Sequence, residues 1–126
     1  MRVVIHKKNL EITPALQNFI DAKLIKPVER VLKNVSDKEL PLLEIEIGRN
    51  TKHHRKGRIY HAEANLSLGR IFIRAEVDED DMRKACDLLK DELLGEIVKF
   101  KSKKLDVSKK ESRIAKESLK NLTNNL

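Results

Sequence analysis

The sequence predicts a two-layer α+β domain in the order β-α-β-β-β-α, a four-stranded mixed sheet with two helices on one face. Three observations predict it. Apolar and polar residues alternate in four separate runs, as in strands with one buried face, and two longer runs carry apolar residues at three- and four-residue spacing, as in amphipathic helices. The first helical run also lies between two strands, which favours a right-handed crossover joining a parallel pair. A Gly-Arg turn between the last two strands calls for an antiparallel hairpin.

The first strand is read over residues 2 to 7, where Val3 and Ile5 alternate with Val4 and His6. A helix start follows at Thr13-Pro14: the threonine oxygen can accept from an orphan amide, and proline at the first helical position loses no hydrogen bond. Leu16, Phe19, Ile20, Leu24, Val28, Val31, Leu32 and Val35 then recur at helical spacing. Pro27 interrupts this run and cannot donate to the carbonyl of Lys23, so a kink or break is expected near Lys26. Leu43, Ile45 and Ile47 alternate with Glu44 and Glu46 in the second strand. Residues 49 to 58 hold five Lys or Arg and no apolar period, the pattern of a basic loop. The third strand is read over 59 to 68, with Tyr60, Ala62, Ala64, Leu66 and Leu68 on one face and His61, Glu63, Asn65 and Ser67 on the other. Gly69-Arg70 suits a II′ turn, and Ile71 to Val77 return as the fourth strand. The acidic run Asp78 to Asp81 caps the last helix, whose apolar face is Met82, Ala85, Leu89, Leu93, Ile97 and Phe100.

With 126 residues, the chain has room for one small domain, read as residues 1–104, and a basic, flexible tail at 105–126. Charge is uneven: of the net +7, most lies between Val98 and Lys120, where nine Lys or Arg face three Asp or Glu. A field of this sign attracts polyanions, although it also solubilises. No apolar run approaches the roughly 18 residues of a membrane span, and the opening Met1 to His6 lacks the apolar stretch of a secretory signal. A cytoplasmic protein with no membrane partner is expected. The lone cysteine, Cys86, excludes an internal disulfide and a multi-cysteine zinc site, and its place beside Ala85 on a helix suits a small packed side chain. Only four aromatic residues are present, so an aromatic stacking platform for single strands is poorly supported.

Catalytic chemistry finds little foothold. His53-His54 raises a metal reading, but adjacent loop residues point apart and no cysteine or carboxylate cluster stands near in sequence; a solvated or phosphate-contacting loop is the better reading. Glu44, Glu46 and Glu63 could meet on the open sheet face, yet acid-base catalysis requires a pocket that no pattern predicts. The phosphate-loop, dinucleotide and nucleophile-elbow motifs are absent. No enzyme activity, metal, cofactor or small-molecule substrate is expected.

Basic residues at helical spacing carry more. Lys23, Lys26, Arg30 and Lys33 line one helix flank if Pro27 leaves the axis intact, and Arg83, Lys84, Lys90, Lys99 and Lys101 charge the final helix. Two helices side by side would merge these rows into one positive surface suited to phosphate backbones. Glu29, Asp87, Asp91, Glu92 and Glu96 interrupt the rows, so two ordinary solvated faces remain the competing reading.

Several stretches resemble the ribosome hibernation-promoting factors, also called ribosome-associated inhibitors or, in older usage, sigma-54 modulation proteins. They are Val3 to Ile5, Leu10 to Leu16, the Lys52 to Gly57 loop, Tyr60-His61-Ala62-Glu63-Ala64, and Asp80-Asp81-Met82 through Asp87-Leu88-Leu89, together reaching from residue 1 to about 104. The resemblance implies a fold similar to double-stranded RNA-binding domains and no enzymatic reaction. It implies binding to the small ribosomal subunit and its RNA in the channel shared by messenger and transfer RNA, with translation silenced. Carried over, the family's basic position in the first helix falls on Lys23, with Lys26 beside it, and the basic end of the last helix on Lys99, Lys101, Lys103 and Lys104. Met82-Arg83 departs from the family's usual aromatic after the acidic pair, and Pro27 is a second departure, which bears on Arg30 and Lys33. Long members add a dimerising C-terminal domain; the about 22 residues after Lys104 are too few for one. A short member, monomeric off the ribosome and acting as an occluding plug, is therefore expected. Against it stand a protein-interaction module with an acidic partner and a non-specific duplex-RNA binder.

Overall fold

Strand β1 (Arg2–Lys8) pairs in parallel with β2 (Leu42–Arg49), with Val3 opposite Leu43 and Ile5 opposite Ile45. Strand β3 (Tyr60–Leu68) runs antiparallel to β2, and β4 (Ile71–Glu79) antiparallel to β3, so the sheet order is β1-β2-β3-β4. This is the mixed four-stranded sheet expected from the crossover and the hairpin. The computed structural model describes residues 1–33, 40–50 and 59–101. The basic loop beyond Asn50, including His53-His54, the tail after Lys101 and Lys103 and Lys104 within it lie outside the described residues.

Pleating sends one set of side chains to each face. Leu43, Ile45, Ile47, Ala62, Ala64 and Leu66 are fully buried on one face, with Leu68, Ile73 and Ala75 nearly so. The three alanines leave room above the sheet for helix side chains. On the other face stand His6, Glu44, Glu46, His61, Glu63, Asn65, Arg74, Glu76 and Asp78, exposed or half-buried. At the end of the parallel pair, Gly48 faces Lys8 so closely that a β-carbon would sit 3.1 Å from the Lys8 carbonyl oxygen. Between β3 and β4, Gly69 has φ 61° and Arg70 does not share the positive sign, as a II′ turn requires.

The turn into the first helix rests on Asn9, whose φ of 59° is a left-handed conformation that Asn tolerates better than most residues. Thr13 caps helix α1 (Pro14–Ile20): its hydroxyl accepts from the Leu16 amide at 3.1 Å, and its carbonyl from that of Gln17 at 2.9 Å. Asp21–Ile25 then form a π turn, and helix α2 (Lys26–Leu32) follows directly with Pro27 in its first turn. The interruption expected near Lys26 is thus a widened turn. The Lys26 amide donates to the carbonyl of Asp21, five residues back, and this shift moves the helix past the point where the proline ring would strike the Lys23 carbonyl. Ile20, Leu24 and Val28 remain fully buried across it.

Helix α3 covers 82–101. Asp81 is its cap, accepting the Lys84 amide at 3.3 Å through its side chain and the Ala85 amide at 2.9 Å through its carbonyl. Ala85, Cys86, Leu89 and Leu93 are fully buried. Burial first, then the nearby Asp87 and Asp81, pushes the Cys86 thiol up to about 11, so it behaves as a packed apolar group. Two units divide the chain, Met1–Glu96 and Ile97–Leu126. Among the described residues no helix is long and apolar enough to cross a membrane.

Candidate nucleic-acid interface

The cations of the first helical run are exposed. Among the described residues, Lys23, Lys26, Arg30 and Lys33 form no ion pair with a carboxylate. A π turn over Asp21–Ile25 interrupts the uniform helical spacing on which the expected row depends. Lys26, Arg30 and Lys33 line one shallow groove with Met1, Glu29, Leu32 and Pro41, and Lys23 is not part of that lining. Widening the turn by one residue changes the angle between Lys23 and the residues after Ile25, which an unbroken α-helical spacing cannot anticipate.

At the start of α3 the two added cations differ. Lys84 is held by Glu79 at 3.6 Å and Asp80 at 3.8 Å, whereas Arg83 has no carboxylate partner among the described residues and lies over the Phe19 ring at 5.4 Å. This cation–π contact joins the first and last helices and rests an exposed guanidinium on an aromatic ring. Further along α3, Lys90 is half-buried and pairs with Asp91 at 3.5 Å. Lys99 and Lys101 belong to the second unit and have contacts of their own. Phe19 is the residue that sequence periodicity missed: it reads as one more apolar helix position, and only its pairing with a residue more than sixty positions away shows that it positions a cation.

The open sheet face has the opposite character. Glu46 lies opposite Glu63, and Glu63 opposite Glu76, in one cross-strand row. When Glu46 carries its proton it donates to the Glu63 carboxylate; this hydrogen bond is the main reason that Glu46 is raised and Glu63 lowered from the ordinary 4.5, with burial raising Glu46 further. The Arg74 guanidinium bridges Glu63 at 3.2 Å and Glu76 at 3.1 Å. His61 Nδ1 is 2.7 Å from Asp78 and Nε2 3.3 Å from Glu63. Burial alone would lower His61, but hydrogen bonds to Asp78 and then Glu63 outweigh it and raise the ring above 6.5. His61, Glu63 and Glu76 bring potential ligand atoms within 4.8 Å, and Arg74 already supplies positive charge there.

These shifts have opposite consequences for stability. Folding favours protonated His61, so its contribution is complete below 6.5 and is lost as pH rises through the raised folded value. Neutral Glu46 behaves alike, its contribution fading as pH rises from 4.5 through its own raised value. Glu63 contributes above 4.5 and loses that contribution as pH falls through its lowered value. An NMR titration of His61 should give a midpoint above 6.5, and Asp78→Asn should lower it. An unchanged midpoint in the variant would show that Asp78 does not hold the proton.

The model of the family described as Sigma 54 modulation protein / S30EA ribosomal protein matches residues 3–105. The chain belongs to this family. Its description ties the S30EA family to the ribosome and names no reaction. Two solved structures share the fold of this S30EA chain. The N-terminal domain of Protein Y from Thermus thermophilus has a TM-score of 0.59 at 20% identity, covering 79% of this chain and 99% of that one. A ribosomal subunit interface protein from Coxiella burnetii has a TM-score of 0.57 at 23% identity, covering 81% and 99%. Both likenesses concern architecture: the α+β mixed sheet is the S30EA framework on which the cations above are mounted.

Proposed function

We propose that this chain binds the small ribosomal subunit in the channel of messenger and transfer RNA, through phosphate contacts from its helical side, and inhibits translation by occupying that channel. One observation carries the reading. Lys23, Lys26, Arg30 and Arg83 are exposed cations with no carboxylate partner among the described residues, while Lys84 and Lys90 are paired in place. An unpaired surface cation gains by displacing condensed counterions from a phosphate; a paired one must first give up its partner. Membership of a ribosome-associated family supplies the direction of the partner, and the subunit interface protein among the structural likenesses supports it. Occlusion needs no chemistry, so the roles are those of contact: Lys23, Lys26, Arg30 and Arg83 to phosphates, with Phe19 setting Arg83.

Co-sedimentation with purified small subunits across salt concentrations tests this. With roughly four phosphate contacts, the logarithm of affinity should fall with a slope near −3 to −4 against the logarithm of salt. Binding that ignores salt, or equal affinity for an unrelated RNA hairpin, would sink the reading, and a stoichiometric protein complex surviving RNase would point to the interaction module.

A further inference from the structure

The groove on α2 has features that a generic phosphate-backbone contact does not require. Lys26, Arg30 and Lys33 converge on one concavity of about 530 Å³, a volume within the range of small-ligand sites. Pro41 and the small exposed part of Leu32 give it an apolar wall, and Glu29 is the one carboxylate among the described lining residues. Consecutive phosphates of one small molecule could engage all three cations together, whereas phosphates of a duplex strand lie farther apart along its backbone.

We propose that this groove binds a nucleoside polyphosphate, recognised by its chain of phosphates and not by its base. The phosphates would take Lys26, Arg30 and Lys33, with Arg30 able to grip two oxygens at once. The base would lie against Pro41 and the exposed edge of Leu32, and because those two offer no side-chain donor or acceptor, purines are not told apart. Glu29 opposes the ligand and sets an upper limit on affinity. Lys26 and Arg30 are also cations assigned to ribosomal RNA, so, resting on that reading, an occupied groove weakens ribosome binding and gives the protein a metabolite-sensitive release.

Calorimetry on the full chain, with ATP, GTP, tripolyphosphate and AMP in low salt without added divalent cations, tests the site. ATP, GTP and tripolyphosphate should bind saturably and within about threefold of one another, with AMP at least tenfold weaker. R30Q/K33Q should lose at least about tenfold, E29Q should gain about two- to fivefold, and R49Q, at the opposite end of the sheet, should bind as the parent does. The E29Q gain is a result that a purely structural role for Glu29 would not produce. Absence of saturable binding by all three polyphosphates, discrimination between ATP and GTP beyond tenfold, or parental affinity in R30Q/K33Q would overturn the proposal. Co-sedimentation with small subunits, with and without saturating ATP, should show reduced pelleting with ATP. Unchanged pelleting would overturn the release role, whereas no pelleting even without nucleotide would instead refute the ribosome reading and leave the calorimetric result to stand.

Discussion

The K23E/K26E/R30E variant is expected to lose at least about three orders of magnitude of affinity for the small ribosomal subunit near 100 mM salt, with an unchanged circular-dichroism spectrum. All three side chains are exposed and form no ion pair with a described carboxylate, so reversal removes three attractive contacts and adds three repulsive ones without disturbing a partner. What remains should also depend less on salt, the slope shrinking by about two to three units, near one for each lost phosphate contact. A contrast at α3 refines the test. Arg83→Gln, which removes the guanidinium lying over Phe19, should weaken binding about tenfold, while Lys84→Gln, which removes an ammonium already tied to Glu79 and Asp80, should stay within about threefold. Parental pelleting by the triple variant would remove the helical face from the interface.

Leu24→Ala should be among the most destabilising single substitutions, costing about 2–5 kcal/mol by chemical denaturation. Leu24 is fully buried and sits in the π turn between α1 and α2, so truncation leaves a cavity in the core. Against a typical total of about 5–15 kcal/mol this is a large fraction, and the melting temperature should fall by roughly 10 °C. Val4→Ala, on the open face with Val4 37% exposed, should cost well under half as much. Similar losses for the two would show that the open face is covered in solution.

The strands were legible because alternation leaves no choice of face: Ile45 and Ile47 between Glu44 and Glu46 can bury only one set. Thr13-Pro14 and Asp81 were legible as caps because capping is local chemistry within four residues. The basic positions were legible as a group, and their alignment was conditional on a helix axis left intact at Pro27. Spacing put Lys23 in line with Lys26, Arg30 and Lys33 on the assumption of a uniform helix, and Pro27 announced a disturbance without revealing its form.

Residue order by itself determined the element order, the buried face of each strand, the excess of positive charge on the helices, and a family resemblance that the match over residues 3–105 bears out. Only the tertiary structure decided which cations are paired with a carboxylate among the described residues. Whether Lys84 meets Glu79, or Arg83 meets Phe19, depends on how the ends of separate elements approach, and ion pairing acts over a few ångströms in space, a distance that sequence separation does not encode.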